Sequence, residues 1–358
     1  MRVASGLLAA AWLAASGLPA AAPTQVATDL GPVFHEAAGR IPGLPGEVLG
    51  VDAAYSVPVG GGRTLWVFGD TLMGGWTPDG SRSLAAMPAN SAALVRDGEW
   101  RSGFPGARWV PAAPILGASG ATRRRWPLDV VRIGRAFWLY YVEIEPTGGS
   151  GLLAFSVVGT GVTRLGRDWR ATAATPLWDG QAPTYGTSAM VWKGALYVFA
   201  GGAATFLARV RPDQLGRPAG YAYWAGGDWT PEATRAAKLP ESGPEMSVRW
   251  NPHLREFLMV YIPPLGREIR MRTAAVPWGP WSEAQTVAPC QPAGDPGMSC
   301  YGAKQHVELD RDHGREIVLT YNTNTEPAKL AGRPDLYWPR LVRVRMDLRR
   351  PYRSSSSW

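Results

Sequence analysis

The feature that most constrains the fold of this chain is a β-hairpin pattern that recurs five times along it. The first copy is the stretch 51–72, in which two short runs rich in β-branched and aromatic residues flank a turn of three glycines, 60–62. Alignment of the five copies on their turns separates equivalent positions by 74, 59, 58 and 59 residues. Those positions are Tyr55, Asp129, Ser188, Met246 and Gln305. A near-constant period just under sixty residues indicates a repeat architecture.

Each hairpin is followed by a third strand-like segment, and several are followed by a Trp-bearing stretch suited to an outermost strand. Three or four strands in each of five repeats predict an all-β fold, a five-bladed β-propeller. The blades are expected near residues 45–110, 120–175, 180–235, 240–290 and 300–348. Residues 25–50 are expected to supply a strand that closes the ring against the last blade. A β-sandwich would explain the strand content but not the period.

Composition agrees with an all-β chain that has many turns. The sequence contains 43 Gly, 32 Pro and 17 Trp, and it has no long helical period. Its 46% hydrophobic residues are enough to bury a sizeable core. The net charge of +8 raises the question of nucleic-acid binding. However, the Arg residues are scattered through strand-like segments without a nucleic-acid motif, so we expect a basic solvated surface and no nucleic-acid partner.

The amino terminus has the pattern of a secretory signal peptide. A short basic start precedes an apolar run to about Pro19 and the small residues Ala20–Ala22. We therefore expect a signal peptide over residues 1–22, cleavage near Ala20–Ala22, and a secreted or periplasmic protein. The apolar run is shorter than the roughly 20 residues that span a bilayer, and no second long run follows, so no membrane span is expected. The propeller domain would occupy residues 23–348, followed by a disordered tail at 349–358.

The only two cysteines, Cys290 and Cys300, lie ten positions apart in a Pro- and Gly-rich loop between two strand pairs. In an exported protein this spacing predicts a disulfide that restricts the unfolded loop. Two cysteines alone make a poor zinc site, because structural zinc takes four ligands.

The repeat register predicts a cluster of polar side chains at one mouth of the propeller channel. Its members are Asp52 and Asp70 from the first repeat, Asp129 and Glu143 from the second, Glu245 from the fourth, and His306 and Asn322 from the fifth. Trp126, Tyr185 and Tyr301 occupy neighbouring positions, where flat rings could stack on a substrate. Several acids at one mouth perturb one another's pKa, which makes them candidate site residues.

Each candidate also has a purely structural interpretation. Asp70 could cap a turn through backbone N–H groups. Asp129 could pair with an arginine of the run 123–125, and Glu143 could be a loop residue without a role. His306 could bond to a neighbouring tyrosine or carboxylate and only brace the site.

Two carboxyl groups across a pocket are what glycoside hydrolysis requires, one to protonate the leaving oxygen and one to attack or to activate water. A competing interpretation is a structural Ca²⁺ in the channel, held by carboxylates, Asn322 and backbone carbonyls. The sequence has no compact Asp-x-Asp-x-Asp loop, so any ion would be held by residues of different blades. We assign no metal ligands and expect no cofactor.

Three motifs resemble one family: Phe-Gly-Asp-Thr at 68–71, Gly-Pro-Glu-Met-Ser-Val-Arg-Trp at 243–250, and Tyr-Gly-Ala-Lys-Gln-His at 301–306. The family is a group of secreted bacterial five-bladed propellers long classified as a domain of unknown function, whose characterised members are endo-D-arabinanases of glycoside hydrolase family 183. The resemblance runs from about residue 45 to 346. More distantly, the layout is similar to glycoside hydrolase families 43 and 32. The catalytic acids of those families have counterparts here at Asp52, Asp129 and Glu245. Glu245, however, lies in the fourth repeat rather than the third. Asp70 could take the place of either aspartate.

The resemblance implies a secreted glycoside hydrolase of a polysaccharide, with a D-arabinan-type furanoside polymer favoured. Asp52 would be base or nucleophile and Glu245 general acid. Asp70 and Asp129 would tune pKa values or hold sugar hydroxyls, with support from His306. One alternative is a non-catalytic carbohydrate-binding propeller at the cell surface. Another is a protein-interaction scaffold, in which arginines would engage the mouth acids. A monomer is expected.

Overall fold

The computed structural model describes residues 24–34, 38–98, 106–111, 114–149, 151 and 153–347. The signal peptide predicted for residues 1–22 and the tail predicted for residues 349–358 lie outside the described residues. Regular structure in the described part is nearly all β-strand.

The strands are numbered in chain order. The amino-terminal part contains β1 (Thr24–Pro32), β2 (Glu47–Val51), β3 (Tyr55–Pro58), β4 (Arg63–Phe68), β5 (Thr71–Trp76), β6 (Arg82–Ala86), β7 (Ser91–Arg96) and β8 (Arg108–Trp109). The middle contains β9 (Arg124–Ile133), β10 (Ala136–Pro146), β11 (Phe155–Leu165), β12 (Ala171–Asp179), β13 (Tyr185–Trp192), β14 (Ala195–Ala200), β15 (Phe206–Val210), β16 (Tyr221–Trp224) and β17 (Trp229–Thr230). The carboxy-terminal part contains β18 (Met246–Asn251), β19 (Glu256–Tyr261), β20 (Glu268–Ala274), β21 (Gln285–Pro289), β22 (Ser299–Gln305), β23 (Glu316–Asn324) and β24 (Arg340–Asp347).

Helices are short and lie in connections. One four-residue α-helix, α1, spans Pro327–Leu330. Within the described residues, 3₁₀-helices span Pro212–Gln214, Pro218–Gly220, Ala233–Arg235, Val307–Leu309 and Asp312–Gly314. None of the helices in the described ranges is long and apolar enough to cross a membrane.

The strands form six antiparallel sheets. Five begin with a predicted hairpin: β3-β4-β7-β8, β9 to β12, β13 to β17, β18 to β21, and β22-β23-β24-β1. In the last of these, β1 pairs along β24, so an amino-terminal strand completes the final sheet as expected. The sixth sheet, β2-β5-β6, was not predicted. Its strands β5 and β6 lie between β4 and β7 in the chain, which explains why the first repeat spacing is longer than the others, whereas β2 precedes β3.

The first strands of the five hairpin sheets adjoin one another in chain order, from β3 through β9, β13 and β18 to β22. Each is a sheet edge whose outward N–H groups have no partner in their own sheet. A side chain from the preceding sheet accepts a hydrogen bond from such a group at three of these junctions. The pairs are Asp129 with the Ala189 N–H (2.7 Å), Ser188 with the Val248 N–H (2.8 Å), and Ser247 with the Gln305 N–H (2.8 Å). Hairpin sheets that follow one another in this order are typical of a β-propeller. Because the described strands form six sheets, the number of five blades stays a prediction.

The core fills the spaces between neighbouring sheets, as the alternation of side chains along each strand requires. Leu65 and Val67 of β4, for example, belong to the same buried cluster as Val130 of β9 and Leu139 of β10. The predicted disulfide between Cys290 and Cys300 is confirmed, and it ties the residue after β21 to β22. The hairpin sheets thus form a rigid frame from which loop side chains reach the mouth.

Candidate functional site

Asp52 and Asp70 lie beside each other at the junction of the first hairpin sheet and the sixth sheet. Asp52 directly follows β2, and the chain turns into β3 through Ala53 and Ala54, both with left-handed φ values of 67° and 61°. The Asp52 carbonyl accepts hydrogen bonds from the Ala54 and Gly69 N–H groups, each at 3.0 Å. A Cβ on Gly69 would lie 2.2 Å from Asp52 Oδ1, so the carboxyl packs directly on the residue before Asp70. The structure thus brings together the two aspartates that hairpin topology placed at one edge.

The Asp52 carboxyl is held by tyrosines and by no cation within the described ranges. Its Oδ2 accepts hydrogen bonds from the Tyr301 hydroxyl (3.2 Å) and the Tyr337 hydroxyl (3.3 Å). Its Oδ1 makes no hydrogen bond with any described residue. Burial, followed by the negative charges of Asp70 and Glu245, raises the pKa of Asp52 well above its usual range. Asp52 is therefore suited to hold a proton under conditions in which an ordinary aspartate is ionised.

Asp70 uses one carboxylate oxygen to accept two hydrogen bonds. Arg124 Nη2 and Trp126 Nε1 donate to Oδ1 at 2.8 and 3.1 Å. Burial raises the pKa of Asp70, and the charge of Arg124 opposes that shift. The side chain of Asp70 is 15% exposed, and its Oδ2 makes no hydrogen bond with any described residue.

Glu245 forms an ion pair with a buried lysine. Lys304 Nζ lies 2.6 Å from Glu245 Oε2 and donates to the carbonyls of Ala53 (2.7 Å) and Gly302 (3.0 Å). Its three ammonium protons are thereby all used, and Nζ lies 4.3 Å from the centre of the Tyr55 ring. The lysine side chain is 2% exposed and that of Glu245 is 24% exposed. Lys304 therefore connects Glu245 to the turn that carries Asp52, through the Ala53 carbonyl. The other oxygen of Glu245, Oε1, has no hydrogen bond in the described part of the chain.

Asp129 is saturated with hydrogen bonds. Arg249 Nη2 donates to both of its oxygens, at 2.9 and 2.7 Å, and the N–H groups of Val130 (2.9 Å) and Ala189 (2.7 Å) add two more. The arginine that pairs with Asp129 is Arg249, and not one of the run 123–125 that the sequence offered as a possible partner. The carboxylate is 1% exposed, and none of its acceptor positions is left for a ligand.

Glu143 is likewise engaged through both oxygens. Ser119 donates to Oε1 from its N–H (3.1 Å) and its hydroxyl, and Arg125 donates to Oε2 at 3.1 and 3.2 Å. These contacts lower the pKa of Glu143 against the effect of burial. Its geometry fits a residue that fixes the loop before β9.

Two of the predicted ligand-contacting residues reach the mouth. Trp126 is partly exposed and donates its indole N–H to Asp70, and Tyr301 donates to Asp52. The indole packs edge-on against Phe155, with ring centres 4.8 Å apart, which fixes its orientation. Trp126 therefore offers a fixed ring beside the carboxyl groups.

The other three predicted contact residues do not reach the mouth. Tyr185 is fully buried, with its ring centre 4.8 Å from that of Trp178. Asn322 is also fully buried and donates to the Val51 carbonyl at 3.3 Å.

His306 lies beyond the end of β22, away from Tyr301 near the beginning of that strand. Ser56 Oγ is 2.5 Å from its Nδ1, and Thr320 Oγ1 is 2.7 Å from its Nε2. Burial lowers the pKa of His306 well below its usual range. The expected bond to a tyrosine or to a mouth carboxylate is replaced by these two hydroxyl contacts.

Sequence reasoning missed Arg124, Lys304 and Tyr337 as members of the site. Lys304 had a detectable signal, because it is a cation within an otherwise uncharged inner strand. Tyr337 had none, since it lies in a loop outside the repeat and adopts a left-handed φ of 66°. Among the described residues, no group of three or more His, Cys, Asp or Glu side chains is arranged to hold a metal ion.

The family model described as "Domain of unknown function (DUF4185)" matches residues 46–330. No curated protein is significantly similar to the chain in sequence. A putative hydrolase from Bacteroides ovatus ATCC 8483 has a similar structure, with a TM-score of 0.65, 18% identity and 87% of each chain covered. An N-acetylgalactosamine deacetylase from F. plautii, in complex with blood group B trisaccharide, matches with a TM-score of 0.50 and 12% identity over 87% of this chain and 95% of that one. The GH43_1 enzyme from Xanthomonas citri complexed with xylose matches with a TM-score of 0.48 and 14% identity over 89% and 90%.

Proposed function

The chain belongs to the DUF4185 family, and from that premise we propose that it is a carbohydrate-active enzyme, a glycoside hydrolase that acts on a polysaccharide. One observation carries the proposal. Asp52, Asp70 and Glu245 each have one carboxyl oxygen held by the protein and one without a hydrogen bond in the described residues. The charges of Asp70 and Glu245 act on Asp52, and Asp70 accepts a hydrogen bond from the partly exposed Trp126. Paired carboxyl groups next to an aromatic surface are suited to glycosidic bond cleavage.

We assign Asp52 as the proton donor. A general acid must be protonated at the working pH, and burial next to two other acids raises the pKa of Asp52. The Tyr301 and Tyr337 hydroxyls fix Oδ2, which leaves Oδ1, packed against Gly69, without a hydrogen bond in the described residues. This assignment reverses the expectation from the sequence, which made Asp52 the base or nucleophile.

We assign Asp70 as the carboxylate that attacks or activates water. Among the charges that raise the pKa of Asp52, that of Asp70 has the largest effect. The two groups adjoin across Gly69, and the Trp126 indole that would support a sugar ring donates to Asp70. The ion pair with Arg124 favours the charged form of Asp70. A charged Asp70 in turn favours the protonated form of Asp52.

Glu245 is a poor proton donor in this arrangement, because it is already ion-paired with the Lys304 ammonium. We propose that it accepts hydrogen bonds from sugar hydroxyls through Oε1 and keeps Lys304 in place. Asp129 supports the frame through Arg249.

The proposal extends to substrate and location. The resemblance of the Phe-Gly-Asp-Thr and Glu-Met-Ser-Val-Arg-Trp motifs favours a D-arabinan-type furanoside polymer. The described fold is shared with a putative hydrolase and with a deacetylase that was solved with a trisaccharide. The disulfide suits an extracellular or periplasmic protein with a cleaved signal peptide. We further propose that the hairpin sheets are the five blades and that the β2-β5-β6 sheet is an insertion in the first.

A non-catalytic carbohydrate-binding propeller is the second candidate. Asp70 and Glu245 are both ion-paired, and a binding site also uses fixed carboxylates to hold hydroxyls. A closed protein-interaction scaffold fits less well, because these two side chains keep 15% and 24% exposure.

The test is reducing-sugar release from a panel of polysaccharides that includes D-arabinan. Wild type, Asp52→Asn and Asp70→Asn are compared with Asp213→Asn, which makes the same change at an exposed ion pair remote from the mouth. Release by wild type and the control, with a loss of at least about 100-fold in both site variants, would support the hydrolase. Binding of one glycan without release by any protein would favour the second candidate. Equal release by all four proteins would refute the site.

A further inference from the structure

Arg82 is a buried cation whose hydrogen-bond partners in the described part of the chain are all backbone carbonyls. It begins β6 of the sixth sheet and is 4% exposed. Its two terminal nitrogens donate four hydrogen bonds of 2.7–3.1 Å, and its own N–H donates to the Ala331 carbonyl at 2.9 Å. The four carbonyls belong to Leu330, Arg333, Pro334 and Leu336. Burial lowers the pKa of Arg82 to about 10, which reflects how far the guanidinium is withdrawn from water.

The segment that Arg82 holds, residues 330–336, ends directly before Tyr337. The Tyr337 N–H donates to the Thr323 carbonyl, and its own carbonyl accepts from the Val51 N–H, both at 2.8 Å. The left-handed φ of Tyr337 turns its ring toward the mouth, where the hydroxyl donates to Asp52 Oδ2. One continuous path of hydrogen bonds and backbone therefore leads from Arg82 to Asp52.

A guanidinium presents five N–H donors in one rigid plane, so it can hold four carbonyls in a defined geometry, whereas an ammonium has three donors on a flexible stem. Tyr337 adopts a backbone conformation that an L-residue rarely takes without outside constraint. The backbone hydrogen bonds to Thr323 and Val51 constrain Tyr337 itself, and the four Arg82 contacts fix the segment directly before it. Arg82 belongs to the sheet that the other repeats lack.

We propose that Arg82 is a positioning residue of the active site, which places the Tyr337 hydroxyl on Asp52 by fixing the segment 330–336. The inference rests on the proposed function in one respect, the role of Asp52 as proton donor. Arg82 does not touch the reacting atoms; it acts through Tyr337.

The expected effect has a defined sign. A hydroxyl that donates to a carboxylate favours its charged form, so loss of the Tyr337 contact raises the pKa of Asp52. The other groups that act on Asp52 are Asp70, Glu245, Lys304 and Tyr301, and none of them contacts Arg82 in the described structure. A change at Arg82 could reach Asp52 through Tyr337 or through the sheet itself, since β6 pairs with β5 and β5 pairs with β2, which ends directly before Asp52.

The test is titration of the Asp52 carboxyl by ¹³C NMR, with the signal assigned by its loss in Asp52→Asn. Tyr337→Phe should raise the Asp52 pKa, because the hydroxyl that donates to Oδ2 is lost, and Arg82→Lys should shift it in the same direction. If Arg82 acts through the Tyr337 hydroxyl, the double variant should match Tyr337→Phe alone, whereas an effect carried by the β2-β5-β6 sheet would add to it. Arg211→Lys, at an exposed arginine, is the matched control and should leave the titration unchanged.

The proposal is overturned if the Asp52 pKa shifts of the two single variants add fully in the double variant. It is also overturned if Asp52 titrates in Arg82→Lys as it does in wild type. Arg82→Gln, a shorter uncharged donor, is made alongside; if circular dichroism shows that neither Arg82 variant folds, Arg82 is a stability residue and the proposal fails. The titration needs no substrate. If the Asp52 pKa shifts as expected but the wild-type protein cleaves no glycan, the proposed function is refuted and the positioning role of Arg82 stands.

Discussion

Lys304 and Glu245 form an ion pair of 2.6 Å in which the lysine is almost completely buried. The same ammonium holds the carbonyl of Ala53, so one side chain connects two walls of the mouth. Removal of one partner from such a pair leaves the other without compensation.

Lys304→Met should lower the free energy of unfolding by about 3–5 kcal/mol, because it leaves Glu245 and two carbonyls without their donor. Urea denaturation measures this loss. Lys329→Met is the control, since Lys329 pairs with Glu326 at a position where both side chains are more than half exposed, and it should cost less than about 1 kcal/mol. Equal losses in the two variants would mean that the Lys304 contacts contribute no more than a surface pair.

Gly69→Ala should impair catalysis more than stability. The new Cβ would lie 2.2 Å from Asp52 Oδ1, and the carboxyl is the group most able to move away. We expect kcat to fall about 100-fold from misplacement of the proton donor, and the unfolding transition to change little. Gly75→Ala, where an added Cβ meets nothing within 4 Å, is the control and should leave kcat intact. An unchanged kcat in Gly69→Ala would show that Asp52 is not held as described.

Asp129→Asn should destabilise the fold without a selective effect on the chemical step. The substitution leaves Arg249, whose side chain is largely buried, without its carboxylate partner. The free energy of unfolding should therefore fall by about 3–5 kcal/mol. Thermal denaturation gives the loss, and kcat is measured on the folded fraction. A well-folded Asp129→Asn protein with kcat as low as Asp52→Asn would instead place Asp129 in the reaction.

Stability should fall between about pH 4 and 7 through Asp310. Burial raises the pKa of Asp310 from 3.8 to about 7. The folded state therefore binds a proton more tightly than the unfolded state, so this contribution is present below pH 4 and is lost as pH rises through 7. Asp310→Asn should remove this part of the pH dependence of unfolding, measured by urea titration at each pH. Parallel curves for wild type and variant would contradict the shift.

Glu245→Gln should move the alkaline limb of activity to lower pH. The charge of Glu245 helps to raise the pKa of Asp52, so its removal lets Asp52 lose its proton earlier. The pH profile of kcat/KM reports this limb. A shift in the opposite direction would argue that Asp52 works as the deprotonated group.

Much of this structure follows from local patterns in the sequence. The hairpins, the strand that completes the last sheet, and the Cys290–Cys300 disulfide were predictable because each depends on neighbouring residues or on a repeat. The adjacency of Asp52 and Asp70 followed from hairpin topology alone. These features need no knowledge of how distant sheets pack.

The parts that could not be predicted depend on long-range geometry. The Asp129–Arg249 pair joins residues 120 positions apart, and its distance is set by how the sheets close around the axis. A register shift between Tyr301 and Lys304 decides which residues of β22 turn toward the mouth, and periodicity does not reveal it. Tyr337 reaches the site through an irregular loop held by Arg82. The burial of Tyr185 and Asn322 likewise depends on packing that a repeat alignment cannot give.

The division of roles between Asp52 and Asp70 is tested most directly by changing the leaving group of the substrate. A dinitrophenyl D-arabinofuranosyl oligosaccharide needs no protonation of its leaving group, whereas the polysaccharide does. The account predicts that Asp52→Asn loses about 1,000-fold on the polysaccharide but stays within about 10-fold of wild type on the activated substrate, while Asp70→Asn is inactive on both. Equal loss of both activities in Asp52→Asn, or retention of the activated substrate by Asp70→Asn, would contradict it.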